Sequence, residues 1–339
     1  MSARQVLTQA RGAHVLVTGA TGYVAGRLIE RLLAAGANIH AAVRDPSDTA
    51  KIAHLIEMAA AGSISFFKGN LLEPGSYDQA MQGCSVVFHT ASPFLAKVDD
   101  PQKDLVDPAL KGTINVLDSV NRTESVTRVV LTSSAATMAG GPADMAKTGG
   151  VVGEESWNTA SSIENGAYLY AKTVAEQTAW QIADAQQRWR LVVINPGLVL
   201  GPGLGAGPTS ASFDRVRSLG DGTFRDAVPP MRFGMVDVRD VAEAHFRAGF
   251  DPAAEGRHLV VEDAYSLGDI AQLLKAHFGD LWPFPRYTEL PKDFPRYRWD
   301  NSKSKDALGL VYRPVGASVI AMFQQLIDTG QLTPSGFTT

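Results

Sequence analysis

The feature that most constrains the fold is a strand, a glycine-rich turn and a helix in immediate succession near the start of the chain. The β-branched run His14–Thr18 leads into the turn Gly19-Ala20-Thr21-Gly22-Tyr23-Val24-Ala25-Gly26. Leu28 and Leu32 follow at helical spacing, and Gly36 is placed to end the helix. Small residues here let the backbone approach a pyrophosphate, to which the helix N-terminus presents free N–H groups. The segment therefore predicts a dinucleotide site that includes Gly19, Thr21, Gly22, Tyr23 and Val24.

Short apolar runs alternate with helical patterns through the first two hundred residues. After the first strand these runs cover residues 39–43, 64–67, 85–89, 129–132 and 191–194. This alternation predicts an α/β fold with a Rossmann-type, doubly wound parallel sheet. Ligands in such sheets lie beyond the carboxyl ends of the strands. The residues that follow the runs should therefore meet at one crevice: Gly19, Arg44, Asn70, Thr90, Ser134 and Pro196.

A change of composition after residue 197 predicts a second, smaller lobe. The chain has 339 residues, of which 45% are hydrophobic, enough for one large domain with a smaller lobe. Residues 201–208 contain too much glycine and proline for regular structure, and we expect a loop there that is a candidate lid. The predicted division assigns residues 1–197 and 234–262 to the nucleotide-binding domain. Residues 198–233 and 263–339 would form the substrate lobe, with Ser266 capping a helix.

Tyr168 and Lys172 carry the predicted chemistry. Apolar residues at helical spacing predict an amphipathic helix over residues 167–188, on which these two side chains share one face. A free phenol titrates near ~10, and a neighbouring ammonium favours its ionised form. Tyr168 is therefore a candidate general acid whose pKa Lys172 would lower, whereas Tyr170 points to another face. A chance occurrence of Tyr-x-x-x-Lys is the alternative, and the independent glycine turn argues against it.

Arg44, which follows the second strand, favours NADPH over NADH. A guanidinium can hold a 2′-phosphate through two hydrogen bonds, and Lys51 adds a second positive charge seven residues later. NADH selectivity normally needs a carboxylate for the ribose hydroxyls, a role that Asp45 could fill. Two solvated surface cations are the other alternative.

Composition excludes several classes of function. The 31 basic and 35 acidic residues give a formal net charge of −4, without a cationic block for nucleic acid. No segment has the length of a membrane span, and residues 1–12 lack the apolar run of a signal peptide. The seven histidines show no metal-ligand spacing, so we expect no metal. The lone cysteine, Cys84, excludes an intrachain disulfide and is consistent with the reducing cytoplasm, where we expect the protein.

The chain resembles the extended short-chain dehydrogenases/reductases, specifically the dihydroflavonol reductase, cinnamoyl-CoA reductase and microbial aldehyde/ketone reductase group. The likeness runs from about residue 14 to 328. Its marks are Val-Thr-Gly-Ala-Thr-Gly-Tyr, Val-Arg-Asp-Pro, Phe-His-Thr-Ala-Ser-Pro-Phe, Lys-Gly-Thr-Ile-Asn-Val-Leu, Leu-Thr-Ser-Ser-Ala and Tyr-Leu-Tyr-Ala-Lys. The resemblance implies a carbonyl reductase that uses NADPH and works as a monomer or homodimer.

The resemblance also implies roles for individual residues. The catalytic set would be Ser134, in preference to Ser133, with Tyr168, Lys172 and a supporting Asn115. Further cofactor contacts would come from Arg44, Lys51, Asn70, Leu71, Thr90, Ala91, Ser92, Pro196 and Gly197. A mostly apolar substrate pocket is expected from Phe94, Met138, Ala139 and Tyr170. For Met138, ordinary core packing is an equally good interpretation.

Departures from the plant members favour a broad-range carbonyl reductase. Met138-Ala139 stands where flavonoid reductases carry an asparagine for the substrate ring, and Gly166-Ala167-Tyr168-Leu169-Tyr170 differs from the cinnamoyl-CoA pattern. Asn70 replaces the usual aspartate at the adenine, although its side-chain oxygen can still accept a hydrogen bond. A dihydroflavonol or cinnamoyl-CoA reductase is the alternative. A nucleotide-sugar epimerase or dehydratase and a catalytically silent NADP sensor are more distant ones.

Overall fold

The predicted strand, turn and helix are present at the start of the fold. The computed structural model describes residues 3–59, 63–92, 98–205, 210–286, 290–291, 294 and 297–334. A short helix, α1 (Ala3–Ala10), precedes strand β1 (His14–Thr18), and helix α2 (Tyr23–Ala34) follows the glycine turn. Gly36, just beyond α2, has a positive φ of 81°, a conformation that favours glycine.

A seven-stranded parallel sheet forms the centre of the molecule. Its strands in chain order are β1, β2 (Asn38–Val43), β3 (Ile64–Lys68), β4 (Val86–His89), β5 (Arg128–Thr132), β7 (Arg190–Pro196) and β10 (Gly256–Val260). The spatial order is β10-β7-β5-β4-β1-β2-β3, with every neighbouring pair parallel. The order reverses between β1 and β4, where a doubly wound sheet binds its ligand. The predicted fold class is confirmed.

Helices cover both faces of this sheet. The helices between the strands and after them are α3 (Thr49–Met58), α4 (Asp78–Met81), α5 (Asp107–Arg122), α7 (Ala167–Asp184) and α9 (Val238–Phe250). Alternate residues of β1 point to opposite faces: Val15 packs in the core beneath α2 and α9, and Leu16 in the core beneath α5 and α7. The two cores hold α7 and α9 on opposite sides of the sheet.

A smaller lobe lies beside the main sheet. Strands β8 (Leu198–Leu200), β9 (Arg232–Asp237) and β11 (Asp263–Ser266) form a second sheet, with helices α8 (Ala211–Gly220), α10 (Leu267–Phe278) and α12 (Val315–Asp328) packed in one apolar core. Ser266 caps α10 as predicted, since its side chain accepts from the Asp269 N–H while the Asp269 carboxylate accepts from the Ser266 N–H. Four shorter elements are β6 (Val151–Val152), β12 (Arg298–Trp299), α6 (Pro142–Lys147) and α11 (Ser302–Leu308).

The segment after residue 197 contains more regular structure than its composition predicts. Strand β8 and helix α8 both lie between residues 198 and 233, and β9 joins the small sheet although β10 returns to the main one. The domain boundaries themselves stay a prediction. Residues 201–203 are held against α2, because the Tyr23 hydroxyl donates to the Gly201 carbonyl and Arg27 donates to the Pro202 carbonyl.

Candidate active site

The glycine turn leaves the N-terminus of α2 open. Gly19 has φ of 63°, and a Cβ built on it would lie 2.9 Å from the Ala91 Cα, so only glycine fits. Gly22 caps α2 without a side-chain hydrogen bond, and Thr21 and Gly22 are exposed. The first N–H groups of α2 are therefore available to a pyrophosphate. The Tyr23 and Val24 side chains face the protein instead: the Tyr23 ring packs edge-on against Phe213, 5.2 Å between centroids.

Arg44 is the free cation at the end of β2. It is exposed, and none of the described residues forms a hydrogen bond or an ion pair with it. Asp45, the alternative for a ribose contact, is folded into its own turn, where one carboxylate oxygen accepts from both the N–H and the hydroxyl of Ser47. These bonds lower the pKa of Asp45. Lys51 is exposed and pairs with Asp48 at 2.9 Å.

Asn115 organises the loop after β3 rather than the predicted catalytic residues. Its side-chain oxygen accepts from the Gly75 N–H at 2.9 Å, and its amide group donates to the carbonyls of residues 70, 71 and 73. These bonds occupy the side chain, so the predicted support of the active site by Asn115 would act through this loop and stays a prediction. In the same loop the Asn70 oxygen accepts from the Leu72 N–H, and its amide donates to Glu73.

A narrow crevice lies at the carboxyl ends of β4 and β5. The residues that line it include Leu71, His89, Ala91, Ser92, Ser133 and Lys172. His89 lies 2.9 Å from the Thr18 hydroxyl, and burial, together with the charge on Lys172, lowers its pKa to about 3, so the ring is neutral. The Thr90 hydroxyl donates to the Thr18 carbonyl and fixes the end of β4 against β1.

Tyr168 and Lys172 lie in the first two turns of α7, which begins at Ala167. The Lys172 ammonium is 3.5 Å from the Ser92 hydroxyl at the crevice. Burial lowers the pKa of Lys172 to about 8, and the charge of Glu176 opposes this effect. Tyr168 is 52% exposed.

The predicted lowering of the Tyr168 pKa by Lys172 is not found. Desolvation by the surrounding protein raises the pKa of Tyr168, and the lysine does not contribute to the shift. Solvent around the half-exposed ring limits the rise. The phenol therefore keeps its proton at neutral pH, as a proton donor must.

The two serines after β5 have different partners. The Ser133 hydroxyl is buried and donates to Glu176. The Ser134 oxygen accepts from the Ala136 N–H at 3.2 Å, and no described residue accepts the Ser134 hydroxyl proton. A short 3₁₀ turn begins immediately after Ser134. The Ser134 hydroxyl can therefore donate its proton to another group.

The four residues predicted for the substrate pocket have different environments. Met138 and Ala139 are 0% and 4% exposed and pack in a small core with Val152, Leu259 and Val261, so their prediction as pocket residues was wrong. Their position just after the serine turn directs them inward, beneath β10. Tyr170 packs, partly buried, against the core between α5 and α7. Phe94 lies outside the described residues.

The end of β7 approaches the small lobe. Pro196 is buried as the last residue of β7, and Gly197 is partly exposed. A Cβ on Gly197 would lie 2.2 Å from the Gly234 carbonyl oxygen, which explains the glycine. Glu176, which lines the crevice, forms a buried ion pair with Arg257, and sequence reasoning missed both residues. The recurrence of Tyr168, Lys172 and Glu176 every four residues was the signal for the carboxylate.

The sequence predicts no metal site. The described residues contain no cluster of three or more His, Cys, Asp or Glu side chains that could hold an ion. No helix in the described ranges is both long and apolar enough to cross a membrane.

The sheet order, the glycine turn and the Tyr-x-x-x-Lys helix together define a dinucleotide-binding protein of the extended short-chain dehydrogenase/reductase class. A family model described as the NAD dependent epimerase/dehydratase family matches residues 15–261. The chain belongs to this family.

The relatives of this chain include several reductases. Cinnamoyl-CoA reductase CAD2 from Medicago truncatula is 40% identical over 91% of this chain and 94% of its own length. Anthocyanidin reductase from Arabidopsis thaliana is 33% identical over 84% of this chain and 85% of its own. Among solved structures, the yeast methylglyoxal/isovaleraldehyde reductase Gre2 complexed with NADPH has a TM-score of 0.82 and 28% identity, covering 94% of this chain and 100% of that chain.

Proposed function

We propose that this protein is an NADPH-dependent carbonyl reductase that converts aldehydes and ketones to alcohols. The observation that carries the proposal is helix α7, on which Lys172 lines the crevice at the carboxyl ends of β4 and β5 and Tyr168 lies one turn before it. Ser134, whose hydroxyl proton is uncommitted among the described residues, lies two residues after the end of β5. This arrangement suits addition of a hydride and a proton across a carbonyl group.

Each of the three side chains has a separate task in this proposal. NADPH supplies the hydride for the carbonyl carbon. Tyr168 donates the proton to the carbonyl oxygen, and Ser134 holds that oxygen by a hydrogen bond while negative charge develops on it. A prearranged donor of this kind contributes a few kcal/mol to transition-state stabilisation. Lys172 holds the ribose next to the nicotinamide through its ammonium group.

The state of Arg44 and Asp45 supports NADPH as the cofactor. Arg44 is free to meet a 2′-phosphate, whereas Asp45 is occupied by Ser47. A carboxylate held in this way is poorly placed to select the two ribose hydroxyls of NADH. The same observation weighs against an epimerase or dehydratase that retains NAD. The yeast structural relative is complexed with NADPH.

A cinnamoyl-CoA-type reductase is the second candidate. The 40% identity with the Medicago enzyme over nearly the whole chain favours it. The departure at Gly166-Ala167-Tyr168-Leu169-Tyr170 remains the argument for free aldehydes and ketones instead. Both candidates share hydride addition to a carbonyl carbon and proton donation to its oxygen. With an aldehyde or ketone the alcohol is the product, whereas with a thioester the CoA thiol must then leave, taking a proton with it, to give an aldehyde.

A substrate panel distinguishes the candidates. NADPH oxidation is followed by the loss of absorbance of the reduced nicotinamide with aliphatic aldehydes, aromatic ketones, ketoesters, a dihydroflavonol and cinnamoyl-CoA, and with NADH in parallel. Turnover of free aldehydes and ketones, faster than that of the thioester, is the expected result. Preferential turnover of cinnamoyl-CoA would favour the second candidate, and no NADPH oxidation with any carbonyl would overturn the proposal. NAD that stays bound through purification would indicate the epimerase alternative.

The remaining parts of the proposal concern the state of the protein in the cell. We propose a cytoplasmic enzyme that acts as a monomer or homodimer on small carbonyl compounds. Cys84, its lone cysteine, is buried and free, which is compatible with a reducing compartment.

A further inference from the structure

One buried carboxylate on α7 has no part in the reaction proposed above. Glu176 lies four residues after Lys172 and eight after Tyr168, so the three side chains follow one face of the helix. Its side chain is completely buried. Burying an isolated carboxylate is costly, and a buried charge is normally paired and fully hydrogen-bonded.

Five donors surround this carboxylate. Its Oε1 accepts from the Arg257 guanidinium at 2.6 Å and, at 3.4 Å, from the Trp180 indole. The other donors reach Oε2: the Ser133 hydroxyl, the Thr137 hydroxyl at 2.7 Å and the Asn195 amide at 2.8 Å. Donors from α7, the turn after β5, β7 and β10 therefore converge on one side chain.

Two of these residues also contact Ser134. The Thr137 hydroxyl lies 2.8 Å from the Ser134 carbonyl oxygen, so its one proton goes either there or to Glu176, while the Thr137 N–H donates to that carbonyl at 3.0 Å and the Asn195 amide at 3.3 Å. Arg257 contributes as well, because its guanidinium donates to the Thr137 hydroxyl at 2.8 Å. The position of Ser134 relative to α7 thus depends on side chains that are themselves fixed by Glu176.

The negative charge of Glu176 also acts on Lys172. Burial lowers the pKa of Lys172 to about 8, and Glu176 raises it against this effect. The other titratable groups near Lys172 are Tyr168 on the same helix and His89 at the end of β4. His89 is neutral above about pH 3. The positive charge of Arg257 is engaged with Glu176 and with the carbonyls of residues 154 and 156.

We propose that Glu176 is the positioning residue of this active site, which fixes Ser134 against the Tyr168–Lys172 face and places a negative charge one helical turn from Lys172. This inference rests on the proposed reductase function. It assigns Glu176 no contact with substrate or cofactor.

The test compares Glu176→Gln with Asp240→Asn. Glutamine keeps the size of the side chain and removes the charge. Asp240 is a matched control, since it is also a buried carboxylate paired with an arginine, Arg313, but it belongs to α9 on the opposite face of the sheet. Both variants are expected to melt at a lower temperature than the wild type.

Only Glu176→Gln should change the titration of Lys172. In that variant the alkaline limb of kcat/KM should move to lower pH, because the ammonium loses its stabilising charge. The loss of kcat should accordingly be greater at pH 8 than at pH 6. A limb identical to that of the wild type, or an equal shift in Asp240→Asn, would overturn the inference.

A readout independent of turnover separates the two proposals. Lysine labelled with ¹³C at Cε can be titrated by NMR, with the Lys172 signal assigned by its loss in Lys172→Arg. A lower Lys172 titration in Glu176→Gln supports the inference even when no carbonyl substrate is found, in which case only the proposed function fails. An unchanged titration in an enzyme that reduces carbonyls overturns the inference alone.

Ser133→Ala provides a milder variant in case Glu176→Gln does not fold. It removes one donor to Oε2 and leaves the ion pair with Arg257 in place. We expect kcat to fall several-fold while the alkaline limb stays where it is. A wild-type kcat in Ser133→Ala would overturn the positioning role.

Discussion

Replacing Arg44 by alanine is expected to weaken NADPH binding and to leave NADH binding unchanged. The Arg44 guanidinium is exposed and has no partner among the described residues, so it can meet a 2′-phosphate without breaking another bond. Hydrogen bonds to charged groups contribute about 1.5–3 kcal/mol. At about 1.4 kcal/mol per tenfold change, the Kd for NADPH should rise roughly 10- to 150-fold.

Lys51→Ala is the internal comparison for this prediction. Lys51 is already paired with Asp48, and its side chain is 75% exposed, so the smaller contribution of a surface ion pair applies. Such pairs contribute about 0.2–1 kcal/mol, which corresponds to at most about a fivefold change in Kd.

Cofactor fluorescence can measure both affinities at two salt concentrations. The Arg44 effect should shrink at high salt, because the Debye length falls from about 10 Å at 0.1 M to 3 Å at 1 M. NADH lacks the 2′-phosphate and is the control. An Arg44→Ala enzyme that loses NADH and NADPH affinity equally, or loses neither, would refute the reasoning.

Three further predictions concern other positions. NADPH affinity should fall as the pH rises through about 8, because Lys172 is charged below its pKa and loses its ammonium above it; a pH-independent affinity would contradict this. Met138→Ala should lower the free energy of unfolding by about 2–5 kcal/mol, measured by urea denaturation, without reordering substrate preferences, since Met138 is a core residue. Asn115→Ala should raise the KM for NADPH, because the Asn115 side chain holds the loop at residues 70–75, while kcat at saturating NADPH changes little. A selective loss of kcat would contradict this and indicate a direct catalytic role.

The main sheet could be predicted from the sequence because its signals are local. Each central strand is a short apolar run, and the runs at residues 14–18 and 129–132 fall within one residue of the observed strands. The cap of α10 was predictable for the same reason, since Ser266 and Asp269 are three residues apart.

The small sheet could not be predicted in this way. Strand β9 pairs with β8 and β11, which are distant in sequence, and no local pattern distinguishes it from a strand of the main sheet. Helix α8 follows a glycine- and proline-rich stretch that reads as a loop, although Ser210 caps it.

Side-chain roles were predictable only where spacing determines them. Tyr168 and Lys172 share a helix face by spacing alone. Asn115 and Met138 could be assigned only by resemblance or composition, and each faces inward for reasons of tertiary packing. The partners of Glu176 come from several elements, so its role required the folded structure.

In the proposed reaction Tyr168 delivers the proton during hydride transfer. The most direct test of this step is the single-turnover rate of NADPH oxidation by Tyr168→Phe, measured together with the Kd for NADPH. General acid catalysis typically contributes 10²–10⁴-fold, so the rate should fall by about that factor while the Kd stays within about twofold.

The control is Tyr312→Phe, which also loses one phenol hydroxyl, in this case one that lies 2.7 Å from the Ser304 hydroxyl away from the crevice. Its single-turnover rate should match that of the wild type. A Tyr168→Phe enzyme that oxidises NADPH with carbonyl substrate at the wild-type rate would contradict the account.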